Sequence, residues 1–284
     1  MSRDASRDQA DGLRRILAGK RTRQLCFLSA VPPAQKNALL LNLAAALVRS
    51  GSEVQILDAS QCAQGISSRA MPALQASLWD VAQQGDRLDK ALREHEPGIR
   101  LARLSSQPLQ ALHAQPAELA RLSQLLREMS PAANFWLLDT DLNADNPFVL
   151  PALSSQEVIV LVANTPTSIK EAYTAMKEFQ ARCGRRPYQL LVLGASVAQT
   201  RMIGKNMALA ANRYLASPLI ALGNLPADEH WSRSVQLGRA IVDAFPMASA
   251  SIALRQIAQR LLDAQTPEGA GRQANAASPA ALEA

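Results

Sequence analysis

The sequence predicts an α/β fold, a doubly wound and mostly parallel sheet with helices on both faces. Three observations predict it. Between residues 24 and 225, short apolar runs alternate with longer helical patterns. Most of those runs are continuously apolar rather than alternating, which is the pattern of strands buried on both faces. Strand–helix–strand order then requires parallel pairing through right-handed crossovers.

The strands are expected at 24–29 (QLCFLS), 53–57 (EVQIL), 98–104 (GIRLARL), 134–139 (NFWLLD), 157–162 (EVIVLV), 188–193 (YQLLVL) and 218–223 (PLIALG). Helices are expected at 36–50, 73–84, 86–95, 116–129, 167–182 and about 199–216. Gly51 and Gly184 close the first and fifth of these. Residues 265–284 are rich in Gly, Pro, Ala and Ser and read as a disordered tail. Three segments follow: an arm at 1–23, an α/β domain at 24–264, and the tail.

The 284 residues are 48% apolar and 19% charged, an ordinary globular mixture. With only 4% aromatic residues, the core must be built from Leu, Ile, Val and Ala. Three scattered cysteines, Cys26, Cys62 and Cys183, fit neither a disulfide framework nor a zinc site. His95, His113 and His230 are isolated from other ligand-type residues, so no metal is expected. No apolar stretch approaches the ~20 residues of a membrane span, and the polar start lacks an export signal. A reduced cytoplasmic setting is expected. Residues 1–23 carry seven basic and three acidic side chains, +4 of the +6 formal charge, which leaves the body nearly neutral. A specific nucleic-acid partner is therefore not expected.

Ligands of such folds sit at the carboxyl ends of the strands. After the first strand, a phosphate-binding loop would read GxxxxGK[ST]. Here the residues are Ala30, Val31, Pro32, Pro33, Ala34, Gln35, Lys36 and Asn37. Only Lys36 fits. Pro32 and Pro33 have no N–H to offer a phosphate, and their φ is fixed. Losing two or three charge-assisted donors costs roughly 3–9 kcal/mol. Asn37 stands in place of the hydroxyl that holds Mg²⁺.

The order of strand, loop with Lys36, and helix ending LNLAAALVRSGSEVQILDAS resembles the first unit of the MinD/ParA family of deviant-Walker ATPases. In that comparison Asp58 matches the first acid of the family's LDAD segment and Ser60 replaces the second. WLLDT (136–140) resembles the Walker B strand and places Asp139 where a carboxylate orients Mg²⁺. The structural alternative for both acids is capping of the next turn. Val31 falls where the family's first loop Lys reaches the partner's nucleotide, and Leu193, Gly194 and Ala195 fall where an Asn reads adenine. EVIVLVANTPTSIKEAYTAMKEFQ (157–180) resembles a strand leading into PTSI, with Thr167 or Ser168 capping the helix. GNLPADEHWSRSVQLGRAIVDAFPMASASIALRQIAQRLL (223–262) keeps further family positions.

DQADGLRRIL (8–17) resembles the DQAxxLR segment of the flagellar-number regulators of the MinD type, the FlhG/FleN branch. The resemblance implies that the arm docks on a signal-recognition-particle-type GTPase of the FlhF kind and stimulates GTP hydrolysis. Asp8, Gln9, Ala10, Leu13, Arg14 and Leu17 are the residues it assigns to that contact. Read bottom-up, Asp8 is an N-cap, and Ala10, Leu13, Ile16 and Leu17 make an apolar stripe. A helix this short is marginal alone, so it folds best against a partner. Flagellar basal-body and transcription-regulator proteins are further candidate partners under the same resemblance.

The family also implies ATP and Mg²⁺ as cofactors, nucleotide-driven dimerisation and peripheral membrane attachment through a terminal amphipathic helix, here Ser251–Leu262. The alternative for that helix is that it covers the sheet. The expected function is a degenerate MinD-like regulator of flagellar number. It would act by protein contacts, with Lys36, Asn37, Asp58 and Asp139 as a vestigial nucleotide site, no cofactor assigned, and ATP hydrolysis lost or very weak. The competing readings are an active ATPase switch and a DNA-associated partition scaffold.

Overall fold

The computed structural model describes residues 22–60, 65–71, 76–140, 153 and 157–264. The expected parallel sheet is present. Among the described residues eight strands are formed: β1 (Arg23–Ala30), β2 (Val54–Asp58), β3 (Leu92–Glu96), β4 (Ile99–Arg103), β5 (Phe135–Asp139), β6 (Glu157–Ala163), β7 (Tyr188–Leu193) and β8 (Leu219–Leu225). Their order across the sheet is β3-β4-β2-β5-β1-β6-β7-β8. Every pairing is parallel except β3 with β4.

The helices are α1 (Pro33–Arg49), α2 (Ile66–Ala70), α3 (Leu78–Gln84), α4 (Leu109–Leu112), α5 (Pro116–Met129), α6 (Pro166–Cys183), α7 (Val197–Ala210), α8 (Glu229–Gln236), α9 (Ile241–Ala244) and α10 (Ser249–Asp263). A π turn, Ala211–Leu215, extends α7. Chain order steps from β1 to β2 toward one edge of the sheet and from β6 through β7 to β8 toward the other. Right-handed crossovers therefore put α1 and α6–α7 on opposite faces.

The core divides the same way. On one face Trp79, Leu122, Leu126, Met176, Ile203 and Met207 pack on Leu28, Leu57, Trp136 and Leu190. On the other, Leu39, Leu43, Leu254, Ile257 and Leu261 pack on Leu25, Ile56, Phe135 and Leu191. Successive residues of β1 and β5 serve both faces, which is why these strands read as unbroken apolar runs.

Several expectations need correction. Residues 86–95 do not form a helix: Gly85, in the left-handed conformation, closes α3. Leu88–Lys90 then makes one 3₁₀ turn and Leu92–Glu96 becomes the antiparallel edge strand. The segment has good helix formers, but pairing with β4 outweighs that preference. Its charged residues suit an edge strand, which they shield from further pairing. The helix expected from 36 begins at Pro33, where the ring's fixed φ suits a first helical position. The helix expected over 73–84 begins at Leu78, with residues 72–75 outside the described set.

The cap of α6 is neither Thr167 nor Ser168 but Thr165, whose side chain accepts from the Ser168 N–H. Ser168 instead bridges two strands. Its hydroxyl donates to the Ala30 carbonyl at 2.6 Å and accepts from the Ala163 N–H at 2.8 Å. These bonds tie together the carboxyl ends of β1 and β6.

The terminal helix covers the sheet. Leu254, Ile257, Ala258 and Leu261 of α10 are buried against the core that α1 and β8 share. The apolar stripe on which a membrane contact through Ser251–Leu262 would depend is thus occupied within the domain. No helix among the described residues is long and apolar enough to cross a membrane.

Candidate functional site

The sheet order places the carboxyl ends of β1, β2 and β5 side by side, and three of the sequence-selected residues meet there. Asp58 and Asp139 end β2 and β5 and are register partners. Lys36 lies in the first turn of α1, which follows β1 after only two residues. Asn37, next to it, is buried.

The passage from β1 to α1 is compact. The Val31 N–H donates to the Ser29 hydroxyl at 3.2 Å. Pro32 occupies the N-cap with φ −54° and ψ 144°, and Pro33 begins the helix. The Gln35 and Lys36 amides both donate to the Pro32 carbonyl, at 2.9 and 3.1 Å. Of the backbone N–H groups that would point at a phosphate, those at Pro32 and Pro33 are missing, and those of Val31, Gln35 and Lys36 are engaged in this turn.

The Lys36 side chain, only 4% exposed, runs into the end of the sheet. Its Nζ lies 2.5 Å from Asp139 Oδ1 and donates to the Thr140 carbonyl at 2.9 Å. Thr140 is itself fixed by its hydroxyl donating to the Phe27 carbonyl at 3.0 Å. The second carboxylate oxygen of Asp139 accepts from the Ile66 N–H at 3.4 Å, a long contact at the start of α2. The opposite charges of Lys36 and Asp139 thus meet inside the protein, as buried charges require.

Asp58 is also engaged. One carboxylate oxygen accepts from the Ser60 N–H at 3.0 Å, and the other from the Ser67 N–H at 2.9 Å and from the Ser67 hydroxyl. Arg103, at the end of β4, reaches over the same serines: Nε donates to Ser67 Oγ at 2.9 Å and Nη2 to Ser68 Oγ at 2.8 Å. The start of α2 therefore lies against both acids. Gly65 permits this, because a Cβ there would come within 2.8 Å of Asp58 Oδ2. The carboxylate caps the following turn, which is the structural alternative for an acid at a strand end.

Against the needs of a triphosphate with Mg²⁺ the fit is poor. The lysine is held by the acid that would orient the metal, and Asp58 is held by α2. Nearby Cys26 offers no nucleophile, since burial pushes its thiol up to about 12.

Sequence reasoning found Lys36, Asp58 and Asp139 but missed Gly65, Ser67, Arg103 and Thr140. These are single residues without a motif, and their roles arise from contacts between segments far apart in the chain. Asp8, Gln9, Ala10, Leu13, Arg14 and Leu17 lie outside the described residues.

No family model matches the chain. The antiactivator FleN of Pseudomonas aeruginosa is 28% identical over 230 residues, covering 80% of this chain and 81% of that protein. Among solved structures, the MinC:MinD cell division complex of Aquifex aeolicus superposes with a TM-score of 0.62 at 17% identity, over 85% of this chain and 96% of the other. The ParA family ATPase of Chlorobium tepidum gives 0.62 at 17% identity, over 85% and 99%. MinD of Pyrococcus horikoshii, solved with Mg-ADP, gives 0.56 at 17% identity, over 87% and 99%. The solved structures establish the fold: a P-loop-type α/β domain.

Proposed function

Because the chain is a MinD/ParA-type protein of the FlhG/FleN-like branch, we propose that it regulates flagellar number through protein contacts and that its nucleotide site is vestigial. The observation that carries this reading is the buried contact of Lys36 with Asp139. In an ATP-driven switch the loop lysine must meet phosphate charge, and here an internal carboxylate already meets it. Proline at two loop positions removes two backbone donors, a loss of roughly 3–6 kcal/mol for two charge-assisted bonds. The relative of Pseudomonas aeruginosa is named an antiactivator, which fits a protein that works by binding another protein.

Under this reading the chain divides into an arm at 1–23, the α/β domain at 24–264 and a tail. The arm is the active segment. Its partner is a GTPase of the FlhF type, contacted by Asp8, Gln9, Ala10, Leu13, Arg14 and Leu17. Described residues give the arm a firm root: the Thr22 hydroxyl donates to the Ala133 carbonyl at 2.9 Å, and Arg23 pairs with Glu157. That root is at the amino end of β1, the opposite end of the strand from Lys36. Partner binding at the arm thus needs no change at the lysine.

The test is GTP hydrolysis by the cognate FlhF-type partner. A peptide covering residues 1–23 should stimulate it, Gln9→Ala should reduce the effect, and Leu13→Asp should abolish binding by placing a charge in the apolar contact. Equal stimulation by the full chain and by a form lacking residues 1–20 would overturn the assignment.

A further inference from the structure

Charge in the domain nearly cancels overall, but it is segregated. From Phe179 to Ala227 the chain contains no Asp or Glu, while it carries Arg182, Arg185, Arg186, Arg201, Lys205 and Arg213. This stretch forms the last turn of α6, then β7, α7, the π turn and β8, the edge of the sheet away from β3. The body, nearly neutral in sum, therefore carries one basic edge.

The outer surface of α7 combines those cations with large apolar groups. Ile203, Gly204 and Met207 of α7 turn inward and are buried. Arg201, Met202, Lys205 and Leu209 are exposed and follow one another at spacings of one, three and four residues, which puts them along one side of a helix. The π turn continues this surface. It keeps Ala211 and Leu215 buried while Arg213 and Tyr214 are exposed, with the guanidinium 5.3 Å from the ring centre. Met202 and Leu209 are each 61% exposed and Tyr214 67%, unusual for side chains of this size. Among the described residues no ion pair involves Arg201, Lys205 or Arg213. The acids that flank the stretch in sequence are Glu178, in α6, and Asp228 with Glu229, at the start of α8.

We propose that the outer face of α7 and its π turn, with Arg201, Met202, Lys205, Leu209, Arg213 and Tyr214, docks on an anionic lipid bilayer. Charge selects an anionic partner, because the whole edge segment lacks acidic groups. Arrangement selects a lipid one. Met202 and Leu209 are two helical turns apart with Lys205 between them, a separation of about 10 Å. They do not make the contiguous apolar centre that a protein partner would pack against. Isolated apolar side chains on a convex helix, set among cations, suit a fluid surface that yields around each one and offers phosphate everywhere. The stripe of α10 cannot serve in this way, since it is buried against α1 and β8. The inference does not depend on the state of the nucleotide site.

Vesicle co-sedimentation of the full chain tests it, comparing equal mixtures of phosphatidylglycerol and phosphatidylcholine with phosphatidylcholine alone. Binding is expected to the anionic vesicles only, and it should weaken as salt is raised. Arg201→Ala with Lys205→Ala should lower the affinity by about tenfold or more. Met202→Ser with Leu209→Ser should also lower it, whereas Ile252→Ser on the exposed side of α10 should not. All these positions are exposed, and unchanged thermal unfolding would show that the variants fold. The proposal is overturned if the chain does not bind anionic vesicles, or if both α7 double variants bind as the parent does. It is also overturned if only the charge variant has an effect, since binding would then lack the insertion argued for Met202 and Leu209.

Discussion

Lys36 Nζ and Asp139 Oδ1 lie 2.5 Å apart, on side chains that are 4% and 0% exposed. Such a pair adds little net stability, because desolvation offsets most of the attraction, but removing one partner strands the other charge. Lys36→Ala is therefore expected to destabilise the domain by about 3–5 kcal/mol. Lys36→Met combined with Asp139→Leu should recover most of that loss. Urea unfolding at neutral pH measures both. A loss for Lys36→Ala within about 0.5 kcal/mol, the usual range for surface changes, would mean that the pair does not hold this end of the sheet.

Asp228 joins the starts of two helices. It caps α8 by accepting from the His230 N–H at 2.9 Å, and it accepts from the Ala250 N–H at 2.9 Å and the Ser249 hydroxyl at 2.7 Å at the start of α10. Burial alone would raise its carboxyl, but the bonds from Ala250, Ser249 and His230 outweigh burial and hold it well below its ordinary 3.8. A carboxyl lowered in the folded state contributes stability that is present above the ordinary value and is lost as pH falls toward the native one. Asp228→Ala should cost about 1–2 kcal/mol at pH 7, and the difference from the parent should shrink below pH ~4. Unfolding curves at several pH values check this. A difference that grew as the pH fell would contradict that role for Asp228.

The fold was legible in the sequence because its strands are buried on both faces. QLCFLS, NFWLLD and EVIVLV each read as an unbroken apolar run, and each lies in a strand within a residue or two of the expected limits. The edge strand Leu92–Glu96 was not legible: its local composition favours a helix, and only the neighbouring β4 makes it a strand. At the site, Lys36 and Asp139 could be selected singly from their places after β1 and on β5. Their contact could not be, because it depends on the order of strands across the sheet and on the early start of α1 at Pro33. Gly65 and Ser67 escaped notice because their meaning lies in the distant Asp58 they approach.

Association of this chain should not respond to ATP. Val31 is buried at the place where the family resemblance calls for a lysine that reaches a partner's nucleotide, and valine carries no charge to do so. Sedimentation velocity should give the same distribution with and without Mg-ATP. A monomer that becomes a dimer only on addition of Mg-ATP would contradict this.

Calorimetric titration of the full chain with Mg-ATP tests the central claim, that the lysine is committed to Asp139 rather than to phosphate. The expected result is a dissociation constant weaker than ~10 μM, or no measurable heat, and no gain in thermal stability at millimolar Mg-ATP. A constant below ~10 μM, roughly −7 kcal/mol or tighter, that Lys36→Met abolishes would contradict it.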